Sequence, residues 1–188
     1  EDLSRGLGDV YKRQGLSRLD ATLIFEALAM ACPSVGSFLS IHNMVGGMID
    51  KFGSDQNKES FLPDLCSMKK IFSYCLTEPG SGSDASALKT KATRTNEGFI
   101  LNGTKSFISG GAYSNAYLTM TRTGEDGPKG ISAIIVEDPS DGLSFGAFED
   151  KMGWRAQPTA QVQFDDCRVP SSNLIGDCLL YTSDAADD

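Results

Sequence analysis

The chain has 188 residues, 40% hydrophobic and 22% charged, with 20 glycines and 7 prolines, a globular composition that excludes a disordered tail, a collagen-like fibre and a disulfide knot. Seventeen basic against 25 acidic side chains give a net charge of −8, which repels phosphate backbones and argues against duplex DNA or RNA as the main partner. No run of 18 apolar residues is present to cross a membrane as a helix.

Residues 1–14, EDLSRGLGDVYKRQ, share no periodicity with their neighbours and read as a non-native, adaptor-like segment. The same holds for residues 178–188, and the 15–177 remainder carries a net −5. Residues 15–70 have helical texture. Leu16, Leu19, Leu23, Ala27 and Met30 fall at three- and four-residue steps, which predicts a helix over 16–32, with Ser17 and Asp20 at capping-box spacing. Pro33 ends it. A second helix is predicted on Phe38, Ile41, Val45, Met48, Ile49 and Phe52, with Gly53 as its stop. Gly46-Gly47 inside it implies close packing against a neighbour. Ser54 caps a third helix to about Leu62, and Pro63 starts a further turn to about Met68. None is long enough to be stable alone, so they imply a helical bundle.

From Ile71 the texture changes to short β-rich runs: 71–77, 89–94, 99–102, 104–109, 116–122, 131–137, 143–148 and 160–165. Asn96-Glu97-Gly98 marks one turn, and Asn102-Gly103 is a two-residue hairpin signal. Eight short strands at this spacing argue for an antiparallel β-barrel or sandwich over 71–177. Strand–helix–strand alternation is missing, which disfavours a Rossmann sheet. The fold class expected is therefore α+β: part of a helical bundle followed by an antiparallel barrel.

The five cysteines are an odd number without a C-x-x-C pair, which fits reduced thiols better than zinc ligands or a disulfide framework. His42 is the single histidine, far in sequence from any candidate nucleophile, and reads as structural rather than catalytic. The segment 98–106 superficially resembles a phosphate-binding P-loop, but its lysine comes one residue late and its spacer is strand-like. No metal-ligand cluster or G-x-S-x-G motif is present. The unusual segment is Tyr74-Cys-Leu-Thr-Glu-Pro-Gly-Ser-Gly-Ser83-Asp84, where a strand runs into small residues. Such a loop offers backbone N–H groups and hydroxyls without side-chain bulk, so it suits close approach to a planar ring or a pyrophosphate. By composition alone it also fits an ordinary Gly/Ser connection. Together with Asn102–Gly111 it can wall one crevice.

YCLTEPGSGSD, LNGTKSFISGG, GPKGIS and KMGWRAQPT–QVQF–D–CRVP, in this order, resemble the acyl-CoA dehydrogenase family of flavoenzymes, from about Leu16 to Gly176. Within the family, residues 40–44 and 153–159 are most similar to a branch acting on short branched acyl-CoA esters. The resemblance implies a helical N-terminal domain, a middle β-barrel, and FAD bound between that barrel and a C-terminal helical bundle. It places Tyr74, Cys75, Leu76, Thr77, Glu78, Pro79, Gly80, Ser81, Gly82 and Ser83 along the flavin, with Phe107, Ile108 and Ser109 flanking its ring. Ser83 also matches the position that contacts the acyl-CoA thioester. By pattern alone, the lesser alternative for Phe107 is a plain core aromatic on an alternating strand.

The family reaction takes a proton alpha to the thioester and passes a beta hydrogen to the flavin as hydride. The resemblance puts the base, a glutamate, on the C-terminal bundle, so no catalytic residue is assigned within this chain, which is expected to be inactive alone. It also implies electron-transfer flavoprotein as electron acceptor, a homotetramer and a mitochondrial matrix location. The alternatives are another short- or branched-chain acyl-CoA dehydrogenase, a non-catalytic barrel that binds flavin or acyl-CoA, and a purely structural interaction domain.

Overall fold

A computed structural model describes residues 18–176. The segments 1–14 and 178–188, and the proposed cap at Ser17, lie outside the described residues. Among the described residues, three helices come first: α1 (Arg18–Ala31), α2 (Pro33–Phe52) and α3 (Asp55–Cys66). Eight strands come after them: β1 (Phe72–Cys75), β2 (Lys91–Arg94), β3 (Gly98–Ser109), β4 (Ala116–Arg122), β5 (Ile131–Glu137), β6 (Leu143–Phe148), β7 (Thr159–Pro170) and β8 (Leu174–Ile175).

Pro33 ends α1 and also opens α2, because its fixed φ and missing N–H suit a first helical position. α2 therefore starts five residues before its first predicted apolar position. Gly46 is buried, and a Cβ there would lie 3.0 Å from Leu65 of α3, the close packing its sequence implied. Ser54 caps α3 through a reciprocal pair with Asn57. α3 does not stop at Leu62 but continues through Pro63 to Cys66. The Pro63 carbonyl accepts from the Ser67 amide at 3.1 Å and the Ser67 hydroxyl at 2.8 Å, so the last turn stays bonded.

The strands form one mostly antiparallel sheet, in the order β6-β7-β3-β2-β4-β5-β8, with β1 parallel to β4. The hairpin falls at residues 95–97, where the Thr95 amide bonds the Gly98 carbonyl at 2.8 Å. The hairpin expected at Asn102-Gly103 is absent: β3 runs straight through it, paired with β7 along its length. Gly103 has φ +147°, and a Cβ there would meet the Thr90 Cα at 2.7 Å. Its glycine serves close approach to the start of β2, a need that leaves the same sequence mark as a turn. The eighth strand is instead the short β8.

Alternation along β4 and β5 builds two cores. Ala116, Leu118, Met120, Ile131, Ala133 and Ile135 pack against Val45 and Ile49 of α2 and Phe61 and Leu65 of α3. Tyr117, Ile134 and Val136 face the other way, into a cluster with Cys75, Leu101, Ile108, Val162 and Phe164. Residues from all eight strands meet in that second cluster or pack against it, which curls the sheet into a barrel-like wall. His42 joins the two parts. Its Nδ1 accepts from the Phe72 amide and its Nε2–H donates to the Leu65 carbonyl, each at 3.0 Å. Both ring nitrogens are committed, so this histidine is structural. Among the described residues Cys32, Cys75 and Cys167 are free thiols.

Candidate functional site

The site begins with a fault in the β3–β7 ladder. Lys105 pairs with Val162 and Ile108 with Ala160, so Ser106 and Phe107 together oppose Gln161. This is a β-bulge, a device that re-aims a side chain. Phe107 adopts φ +57° and its ring is 66% exposed, while the next residue, Ile108, is in the core. β6 has a matching irregularity against the same residue of β7, between Phe145 and Phe148, and Phe148 is also exposed. A plain core position for Phe107 is therefore overturned.

The small-residue loop lies against this bulge. The Ser106 amide bonds the Thr77 carbonyl at 2.8 Å. Glu78 and Ser81 close a tight turn with each other, amide to carbonyl in both directions. Pro79, Gly80, Gly82 and Ser83 are exposed, and a Cβ on Gly80 or Gly82 would meet nothing within 4 Å. Tyr74, Leu76, Thr77 and Ser109 are half-buried. The remaining candidates point inward. Cys75 is in the barrel core, with burial pushing its thiol up to about 12. Ile108 packs in the same cluster. The Ser81 hydroxyl bonds the Asp84 carbonyl at 2.5 Å.

Glu78 is the most fully committed. Its Oε1 accepts from Lys105 Nζ and the Thr90 amide, both at 2.8 Å, and its Oε2 accepts from the Lys89 amide at 2.7 Å. Burial pushes this carboxyl up, but bonds from Lys105, Thr90 and Lys89 outweigh it and hold the group below its ordinary value. Glu78 is thus an anion with its acceptors in use, unsuited to abstracting a proton.

Ser109 sits at the end of β3. Its carbonyl accepts from the Ser73 hydroxyl at 2.5 Å, and the Gln157 side-chain amide donates to its hydroxyl. Gln157 is 3% exposed and its Oε1 has no partner. It borders a cavity of about 480 Å³ lined by Tyr113, Phe148, Lys151, Arg155, Pro158 and neighbours. Lys151 braces this segment, bonding the Gln157 carbonyl and, at 2.7 Å, the Thr159 hydroxyl. Trp154 is exposed at φ +54°.

Lys105 and Gln157 are not among the candidate site residues that the sequence points to. Lys105 carried no signal apart from its place in the LNGTKSFISGG run. Gln157 carried no signal apart from its place in the GWRAQPT run.

The middle domain of acyl-CoA dehydrogenases matches residues 73–167, and the N-terminal domain matches residues 8–69. The chain belongs to the acyl-CoA dehydrogenase family. It is 58% identical over 177 residues to the mitochondrial isobutyryl-CoA dehydrogenase of Dictyostelium discoideum, covering 91% of this chain and 42% of that relative. The butyryl-CoA dehydrogenase structure from Megasphaera elsdenii superposes with a TM-score of 0.87 at 32% identity, over 95% of this chain and 48% of that one. An FAD complex of PigA superposes with a TM-score of 0.84 at 29% identity, over 94% and 47%. The chain thus spans less than half the length of these relatives.

Proposed function

We propose that the surface where the Thr77–Ser83 loop meets the Phe107 bulge is one wall of an FAD crevice, in an enzyme that oxidises a short branched acyl-CoA. Isobutyryl-CoA going to methacrylyl-CoA is the substrate pair that the similarity favours. The observation that carries the reading is the bulge, which turns an aromatic ring out of the core next to a loop bare of side chains. Backbone at positive φ with an exposed aromatic is costly unless something uses the ring. The residues fit the cofactor. A flat ring finds the Phe107 face, its polar edge finds the Thr77 and Ser109 hydroxyls, and the open space over Gly80 and Gly82 admits close approach of a pyrophosphate or ring. The unpartnered Oε1 of Gln157 is a buried acceptor still lacking a donor.

The chemistry supplied by bound FAD is acceptance of the beta hydrogen as hydride. This chain's residues hold and orient. Ser83 is exposed at the loop's far end, and the family resemblance is what gives it the contact with the thioester. Phe107 covers one ring face and sheds water from it. The base for the alpha proton belongs to a part of the enzyme beyond these residues. Electron-transfer flavoprotein as acceptor, a homotetramer and the mitochondrial matrix complete the proposal. Titrating the chain with FAD and following its fluorescence tests it: saturable quenching is expected, and a spectrum unchanged at millimolar protein refutes the site. Turnover of isobutyryl-CoA by this chain with an artificial electron acceptor would show that the base is already here.

A further inference from the structure

An ion pair is buried beneath the crevice loop. Lys105 Nζ lies 2.8 Å from Glu78 Oε1, with the two side chains 0% and 7% exposed. Lys105 also donates to the Leu76 carbonyl at 3.0 Å. Glu78 holds the amides of Lys89 and Thr90. Leu76 and Glu78 flank Thr77, whose carbonyl takes the Ser106 amide. One ammonium and one carboxylate therefore tie together the start of the loop, the chain entering β2, and β3 just before its bulge.

Such a pair is a poor device for stability. Removing two charges from water costs several kcal/mol per ion, and well-packed apolar residues of similar volume are often as stable or more so. Apolar side chains, however, cannot fix the direction of the Leu76 carbonyl or hold the Lys89 and Thr90 amides. Both ends of the loop depend on those groups, and the rest of it is bonded by little more than the Glu78–Ser81 turn and the Ser81–Asp84 contact.

We propose that Glu78 and Lys105 are positioning residues of the crevice: the pair holds the Thr77–Asp84 loop in one conformation, in register with the Ser106–Phe107 bulge. Backbone donors of the loop and the Phe107 ring then face a single ligand. The identity of that ligand rests on the FAD reading above; the ordering of the loop does not. Glu78 is accordingly a residue that acts through the loop rather than one that touches the ligand.

The test is the double variant Glu78→Leu/Lys105→Met, which removes both charges at similar volume, compared with the unaltered chain. The expected melting temperature is equal or higher. Amide hydrogen exchange at Ser81 and Ser106 should be at least tenfold faster, with the amides of 118–121 and 133–136 unchanged. FAD affinity, read by fluorescence quenching, should fall at least tenfold. Unchanged exchange at Ser81 and Ser106 overturns the proposal. So does a double variant that fails to fold or loses protection evenly through β4 and β5, since the pair would then be a general stability element. If the unaltered chain binds no FAD, the ligand reading fails, and the exchange measurements still decide the role of the pair.

Discussion

The two long sides of the sheet are finished in opposite ways. β4 and β5 pair over seven consecutive residues without a register shift, and nearly every position is buried because helices cover one face and the barrel core the other. β3 and β7 pair over a longer stretch but with two register shifts, and next to the second an aromatic ring is left in solvent. Regular pairing maximises packing and leaves nothing accessible. The irregular side gives up ladder bonds and exposes apolar surface, which is how a sheet acquires a place to bind. Packing strength and accessibility are thus segregated onto different strands of one sheet.

That segregation is tested first where packing is densest. Leu118, fully buried between β4 and the helices, should lose about 2–5 kcal/mol of stability as Leu118→Ala, through lost transfer energy and the cavity left behind. Phe148→Ala on the irregular side should change stability by less than about 0.5 kcal/mol, because its ring is 61% exposed. Urea unfolding of both variants measures the contrast. Equal losses would break it.

The regular side was also the side legible in the sequence. The β-rich runs at 116–122 and 131–137 keep their bounds in the structure, where even Thr119, Thr121 and Ser132 are buried among the apolar residues. The irregular side was misread at Asn102-Gly103, because a glycine needed for close approach and one needed for a turn look alike. Register shifts leave no compositional trace, so the exposure of Phe107 was not derivable from alternation, and neither was the burial of Lys105. What the sequence did carry of the site was the loop, through its concentration of small residues. Gly103→Ala puts the corrected reading to the test: positive-φ strain and contact with the Thr90 backbone should together cost about 2–4 kcal/mol. A hairpin glycine with open space around it would tolerate more, so a loss under about 1 kcal/mol contradicts the close-approach account.

The junction between helices and sheet responds to pH through His42. Burial holds the imidazole below its ordinary value of 6.5, only partly offset by its bonds to Leu65 and Phe72. The unfolded chain therefore takes up the proton first. The contribution of neutral His42 is fully present above about pH 6.5 and is lost as pH falls toward the lowered folded value. Glu78 adds a second, more acidic step. Its folded value lies below 4.5, so its contribution is present above that pH and lost as pH falls through the folded value. His42→Gln should cost about 1–3 kcal/mol at pH 7.5 by unpairing buried groups, and should flatten the fall in stability as pH drops below about 6.5. A variant with the same slope as the parent would place the titration elsewhere.

A small expected effect on stability, but one of unusual sign, is the most telling for the site. Phe107→Gly removes an exposed ring and replaces it with the residue that best tolerates φ +57°. Stability should change by no more than about 1 kcal/mol and in the favourable direction, because relief of the backbone outweighs the loss of little buried surface. FAD affinity should meanwhile fall about 2- to 10-fold, the range expected for one lost aromatic contact. Opposite signs for folding and binding at one residue are what a strained, ligand-facing position produces. If Phe107→Gly destabilised the chain as Leu118→Ala does, the ring would be part of the packing after all, and the division between the two sides of the sheet would not hold.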